Sequence, residues 1–359
     1  MPNYAERLAE FRRRMDVGRL DAYWLNSPAN VRYLCGFTGD DSALLVGRRR
    51  SVLITDSRYV EQAEREAQAD EVISRHSTIP NTIAGLCRGL DARRLALTAA
   101  NLPHAGFLAL REAAPSLEVL SRKTGIAERM RRRKDAEEVA AIRKALGTAQ
   151  AAFSAVLPEL RAGRTETWVA ARLEYEMRLR GAEGAAFETI CAADGRASVP
   201  HARTGDGRLT PGGVALVDWG SRVGGYCCDL TRVVCVDRIP KELHPLVEVV
   251  LEAQAAVFET LRPGNTCGEA DAAGRAVIAR AGYGHRFGHG IGHGVGLMVH
   301  EGPRLGPGSE TVLLPGMFFT VEPGVYVPGQ AGVRIEEMVL ITPNGHEVLT
   351  SLPRTPEDL

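Results

Sequence analysis

The first third of the chain alternates short apolar, β-branched runs with stretches of helical periodicity. Ala43–Val46 and Val52–Thr55 are two such runs parted by the polar turn Gly47-Arg48-Arg49-Arg50, the pattern of a β-hairpin. Helical spacing over residues 5–15, 58–69 and 103–113 alternates with strand-like runs at 71–75, 95–99 and 117–121, which predicts an α/β domain. The chain turns basic and polar around Ser121–Arg133, then enters a long amphipathic segment from Asp135 to Leu146. We place the domain boundary in that basic stretch, giving domains 1–125 and 126–359. The second domain begins with helices to about Arg180, broken at Pro158 and near Gly163, and continues as glycine-rich short β runs with helices over Glu242–Leu261 and Cys267–Ala281.

Composition narrows the class of partner. The 359 residues carry 44 acidic and 44 basic side chains, and a net charge of zero argues against nucleic acid or an anionic membrane, both of which are held by excess Lys and Arg. Seven scattered cysteines without a C-x-x-C pair make neither a disulfide framework nor a zinc ribbon. The polar N-terminus does not resemble a signal peptide, and no run approaches the ~18 apolar residues of a membrane span. We therefore expect a cytoplasmic protein, and small neutral or zwitterionic substrates remain open.

The chemistry gathers in two predicted hairpins. Val214–Asp218 reads as a buried strand ending in a carboxylate, and Tyr226–Cys235 as a second strand holding Asp229. Asp218 and Asp229 are equidistant from the Val223–Gly224 bond, inside a turn-forming stretch, so they are expected to oppose each other across the strands. Glu322 and Glu336 are likewise equidistant from Gly329, in the Pro328-Gly329-Gln330 turn. Four inward carboxylates in an apolar setting repel one another and resist desolvation, and divalent cations remove that cost. Oxygen ligands gathered in this way suit a dinuclear hydrolytic site.

Four histidines, His285, His289, His293 and His300, fall in one glycine-rich stretch. The i, i+4 spacing of His289 and His293 would suit a helix, but the glycines at 288, 290, 292, 294 and 296 disfavour one. An extended strand fits better, with both imidazoles on one face and an imidazole nitrogen available to a transition metal.

These residues, with Asp-Trp-Gly at 218–220, His-Gly-Ile-Gly-His at 289–293, Thr-Val-Glu-Pro-Gly at 320–324 and Val-Arg-Ile-Glu-Glu at 333–337, closely resemble the pita-bread dinuclear metallopeptidases, in particular the Xaa-Pro dipeptidases (prolidases) and aminopeptidases P. The resemblance is dense over residues 134–342 and implies an α/β N-terminal domain followed by an α+β pita-bread catalytic domain. It also implies two divalent metal ions per subunit, Mn²⁺ first, with Co²⁺, Zn²⁺ or Fe²⁺ as alternatives. Their ligands would be Asp218, Asp229, His293, Glu322 and Glu336, with Asp229 and Glu336 bridging. A bridging water would be the nucleophile and Glu322 its general base. His201 would contact the substrate, His300 the developing oxyanion and His289 the proline ring, while Arg334 and Tyr326 would orient the ligands. Arg304 matches the arginine that holds the dipeptide carboxylate in prolidases. The implied function is hydrolysis of Xaa-Pro dipeptides by a homodimer. Two alternatives are release of the N-terminal residue from longer Xaa-Pro peptides and, from another class, a non-catalytic peptide-binding module. Asn30 departs from some aminopeptidases P, which carry an aspartate there beside an arginine.

Overall fold

A computed structural model describes residues 3–356 and 358. Their contacts divide into two units, one ending at Arg131 and the other starting at Arg132.

The first unit is built on six strands, β1 (Ala22–Leu25), β2 (Ala43–Gly47), β3 (Ser51–Thr55), β4 (Glu71–Ser74), β5 (Arg94–Thr98) and β6 (Glu118–Arg122). They lie in the order β4-β3-β2-β1-β5-β6, with only β2 antiparallel to its neighbours. The expected hairpin is β2–β3, paired from Ala43↔Ile54 to Val46↔Ser51. Six helices accompany the sheet: α1 (Tyr4–Val17), α2 (Pro28–Cys35), α3 (Val60–Glu66), α4 (Ile79–Gly89), α5 (His104–Ala113) and α6 (Ile126–Arg131). The sequence reading overlooked β1, whose four residues are all buried and therefore show no polar–apolar alternation. Helix α6, assigned above to the second domain, packs on α1 and α2 of the first unit because Ile126, Ala127 and Met130 are buried there. Its Arg131 donates to Asn30 Oδ1 at 2.7 Å.

The second unit opens with α7 (Ala136–Val156), started by a capping box in which Asp135 and Glu138 satisfy each other's backbone N–H groups. Ile142, Leu146, Ala149, Phe153 and Val156 form its buried stripe. Helix α8 (Glu166–Leu179) packs against it, and α9 (His244–Thr260) pairs with α10 (Cys267–Arg280). Between α8 and α9 run β7 (Gly184–Ala185), β8 (Ile190–Ala193), β9 (Val214–Trp219), β10 (Ser221–Val223), β11 (Tyr226–Cys227) and β12 (Leu230–Cys235). After α10 come β13 (Gly292–Gly294), β14 (Glu301–Leu305), β15 (Phe318–Val321), β16 (Gly324–Val327), β17 (Ala331–Arg334), β18 (Glu337–Thr342) and β19 (Gly345–Val348). Each helix pair covers its own apolar core on the strands: α7 and α8 over Val217, Trp219 and Phe318, α9 and α10 over Phe319, Val321 and Val333. Trp219 anchors the first core, stacked on Phe153 at 4.3 Å with its indole N–H on Ala149 O at 3.1 Å. The inner ends of the strands are left to the site.

Candidate metal centre

Strands β9 and β12 pair with Asp218 opposite Thr231, not opposite Asp229 as expected. The turn is the two-residue Gly224-Gly225, with φ of 58° and 78°, so the hairpin centres one residue later than the sequence suggested. Two-residue hairpin turns with positive φ at both positions match the strand twist, and glycine adopts them without strain. Moving the centre by one residue moves the partner by two, which restores the same face, so both aspartates still point into one cavity. The second hairpin keeps its expected register: Val321↔Glu337 and Gly324↔Arg334 flank Glu322 and Glu336. Both glutamates sit where one ladder ends and the next begins, and their amides reach other elements, Glu322 N–H to Ile291 O at 2.8 Å and Glu336 N–H to Thr231 O at 3.2 Å.

The four carboxylates and His293 converge. Ligand atoms of Asp218, Asp229 and Glu336 lie within 4.8 Å of one another, and so do those of His293, Glu322 and Glu336. Asp218 Oδ1 and Glu336 Oε1 are buried without a hydrogen-bond partner among the described residues. Burial and then the neighbouring acids drive Asp229 and Glu336 well above the ordinary carboxylate range, and burial pushes Glu322 up to about 7. His293 Nδ1 lies 3.1 Å from Gly294 O, which can only accept, so the ring proton is there and Nε2 presents a bare lone pair. That lone pair faces Asp229 Oδ2 and Glu322 Oε1, each at 3.5 Å. Burial holds His293 down to about 4, so protonation does not relieve the contact. Acceptors facing acceptors in a buried site, with orphaned carboxylate oxygens, fit divalent cations bound among these five residues.

A cavity of about 720 Å³ opens over this cluster, and His201, His289, His300, Arg304 and Arg334 line it. His300 stacks edge-on to His293 at 4.4 Å between ring centroids, and burial lowers its pKa. Arg304 is the cross-strand partner of His293 in the β13–β14 pair, and its guanidinium makes no ion pair or hydrogen bond among the described residues. His289 lies outside the strand, which is only Gly292–Gly294, yet reaches the same cavity. Its Nδ1 donates to Gly290 O at 2.8 Å, and its Nε2 lies 2.9 Å from the Tyr326 hydroxyl. That hydroxyl accepts from Arg334 at 3.0 Å and so donates to His289, leaving the imidazole neutral with no free N–H. Arg334 also donates to Asp218 Oδ2 at 2.6 Å, which ties the cavity wall to the carboxylate cluster.

Two supporting residues escaped the sequence reading. Thr231 donates to Glu336 Oε2 at 2.7 Å and accepts from Arg334 at 3.1 Å, and Thr320 donates to Glu322 Oε1 at 3.3 Å and accepts from His293 N–H at 3.0 Å. Each lies two residues from an acid, Asp229 or Glu322, and the two-residue strand period was the signal that could have found them.

Comparison with known proteins agrees with this geometry. Residues 140–343 match Metallopeptidase family M24, and residues 7–133 match the Creatinase/Prolidase N-terminal domain. A Xaa-Pro dipeptidase of Pyrococcus horikoshii is 34% identical over 99% of this chain and 98% of its own. The structure of a Xaa-Pro dipeptidase from Bacillus anthracis superposes with a TM-score of 0.93 at 35% identity, covering 98% of this chain and 99% of the other. An X-Pro aminopeptidase from Thermotoga maritima gives 0.87 at 34% identity, over 95% and 99% of the two chains. Fold, ligand cluster and relatives agree: this chain belongs to metallopeptidase family M24, as a metal-dependent hydrolase with an α/β N-terminal domain and a pita-bread catalytic domain.

Proposed function

We propose that the protein hydrolyses Xaa-Pro dipeptides with two divalent cations, which Asp218, Asp229, His293, Glu322 and Glu336 would hold, Asp229 and Glu336 serving both. The observation that carries the dipeptide preference is Arg304, whose guanidinium has no partner among the described residues and lines the cavity directly across the strands from His293. A guanidinium so placed suits a free carboxylate, the group a dipeptide presents one residue beyond its scissile bond. The Xaa-Pro dipeptidase relatives support the same reading.

Bound cations would polarise the scissile carbonyl and make a water acidic enough to attack at neutral pH. Glu322, which lines the cavity within the carboxylate cluster, would take that water's proton. His300 donates to the oxyanion as it develops, and His201 contacts the substrate. His289, with both ring nitrogens engaged, offers an apolar ring face to proline. Arg334 and Tyr326 hold Asp218 and His289 in place. Proline's nitrogen carries no hydrogen, and none of these contacts asks for one.

Mn²⁺ suits a donor set of four carboxylates and one imidazole. Free thiols at Cys35, Cys87, Cys191, Cys227, Cys228 and Cys267 fit the reducing cytoplasm. A homodimer completes the proposal and is checked by light scattering.

The test compares Xaa-Pro with Xaa-Pro-Yaa cleavage in wild type and Arg304→Ala, loaded in turn with Mn²⁺, Co²⁺ and Zn²⁺. Losing a charge-assisted carboxylate contact of ~2–3 kcal/mol lowers dipeptide kcat/KM by roughly 30–150-fold and leaves the tripeptide little changed. Equal loss on both substrates removes the carboxylate role. A wild type that cleaves neither substrate makes the chain a peptide-binding module instead.

A further inference from the structure

The segment between β8 and β9 carries His201 and a wall of the cavity, yet beyond a short 3-10 turn at Asp194–Ser198 it has no regular structure before β9 begins at Val214. An irregular segment must satisfy its backbone groups with something other than a ladder. Here one side chain supplies much of the fastening. Glu166, the first residue of α8, has no exposed surface. Its Oε1 accepts from Ala193 N–H and Arg196 Nε–H, each at 2.8 Å, and its Oε2 accepts from Gly205 N–H at 2.9 Å. Ala193 and Gly205 bracket the segment, so a single carboxylate draws its two ends together.

Arg196 extends the tie. It donates to Arg203 O at 2.5 Å, two residues beyond His201. The backbone repeats it, with Glu166 N–H on Gly207 O at 2.8 Å and Thr167 N–H on Gly205 O at 3.1 Å. A Cβ on residue 207 would lie 2.4 Å from Glu166 Oε1, so only glycine leaves room for the carboxylate to seat. The opposite flank is held by the β16–β17 hairpin: Arg334 donates to Pro200 O at 3.1 Å and Gly329 N–H to Ser198 Oγ at 3.2 Å. Other ties remain on the α8 side, Thr167 Oγ1–H on Gly205 O at 2.7 Å and Thr204 Oγ1 accepting from Cys191 N–H at 2.9 Å, but Glu166 is the side chain that joins Ala193, Arg196 and Gly205 at one point.

We propose that Glu166 is a positioning residue for substrate recognition, fixing His201 in the cavity through the Ala193–Gly205 segment. The inference rests on the Xaa-Pro reading of the site. It requires a carboxylate specifically, because three N–H donors converge on its two oxygens; an amide must turn its NH₂ towards at least one of them.

The experiment uses Glu166→Gln, His201→Ala and the double variant of the full chain. Steady-state kinetics on a Xaa-Pro dipeptide are paired with amide hydrogen exchange and thermal melting. Glu166→Gln is expected to lower kcat/KM by roughly 10–100-fold, mostly through KM, and to add no more than about 3-fold once His201 is already alanine. The amides of Ala193 and Gly205 should exchange faster while those of α7 stay protected. An undiminished loss in the His201→Ala background, or wild-type kinetics in Glu166→Gln, overturns the proposal. Arg196→Met, on a half-exposed side chain, is the gentler variant should Glu166→Gln fail to fold; it should show the same KM-weighted loss at roughly several-fold, and an unchanged KM counts against the idea. Hydrogen exchange needs no turnover, so it separates the two readings. If the wild type cleaves no Xaa-Pro substrate, the function falls while faster exchange confined to residues 193–207 still supports the tether, and exchange unchanged or raised everywhere removes it.

Discussion

Glu322→Gln should abolish hydrolysis and at the same time stabilise the metal-free protein, by an amount that depends on pH. Burial pushes the Glu322 carboxyl from an ordinary 4.5 to about 7. Below the unfolded value both states are protonated and nothing is lost. As pH rises from about 4.5 to about 7, the unfolded chain releases a proton that the folded protein retains, so folding stability falls across that window and is flat above it. At ~1.4 kcal/mol per unit the loss is about 3 kcal/mol. Glutamine has the shape of the protonated acid and carries no charge at any pH, so the variant escapes this loss.

The wild-type profile alone would mislead. Asp229 and Glu336, raised by burial and by the neighbouring acids, add to the fall. His289 and His293, held down to about 4 by burial, act in the opposite direction. Their unfolded forms take up protons below the ordinary 6.5, so stability climbs as pH rises from about 4 to 6.5. The informative quantity is therefore the difference between the two proteins, in which His289 cancels and the relief of Glu336, whose carboxyl Glu322 also raises, adds to the gap in the same direction. In chelator, melting of wild type and Glu322→Gln should nearly coincide at about pH 4 and separate by roughly 6–12 °C at about pH 8, with the variant higher. Saturating Mn²⁺ should close or reverse the gap at high pH, because the wild type then gains more from the ion. A separation that is constant from acid to alkaline pH, or a variant that melts below wild type in chelator at pH 8, refutes the assignment of Glu322 as a buried carboxylate strained in the absence of metal.

Removing a shared ligand should be more severe than removing a terminal one. Asp229→Ala or Glu336→Ala is expected to reduce turnover by at least ~10³-fold and to lower bound metal from two ions per chain, measured by elemental analysis; near-normal rates would dismiss the shared assignment. Gly220→Ala would put a methyl group 2.0 Å from Cys228 O, between the two strands that carry Asp218 and Asp229. It should cost about 1–3 kcal/mol and weaken metal retention in a chelator competition, whereas unchanged retention would mean that this spacing does not set the site.

The carboxylate pairs were legible because turn chemistry sits at their centres. Gly329, at a φ of 72°, marks the second hairpin, and its register followed without correction. The first is displaced because the turn-forming stretch between the strands is only partly a turn: Ser221–Val223 is itself a strand and Gly224-Gly225 alone make the reversal. Glu166 and Thr231 could not be found from local pattern. Glu166 acts on residues 27 and 39 positions away and Thr231 on one 105 away, and a threonine or glutamate in a periodic stretch looks the same whether it supports a site or faces solvent.

Three of the four acids, Asp229, Glu322 and Glu336, lie at interruptions of strand ladders, and those interruptions are what let two hairpins share a focus. Within an unbroken ladder the amide beside each acid is committed to its neighbouring strand. Where the ladder stops, the amide is free to bond elsewhere: Glu336 N–H reaches Thr231 O in the first hairpin, drawing the two carboxylate pairs together. Proline at 323 forces one of these stops, because it has no N–H to give a ladder, and it is the one interruption the sequence declares outright. The stop at Asp229 carries no such mark, yet it is required by the same geometry. Its amide turns to Met338 Sδ at 3.4 Å, on the strand that continues from Glu336, so each hairpin's acid is anchored by the other hairpin.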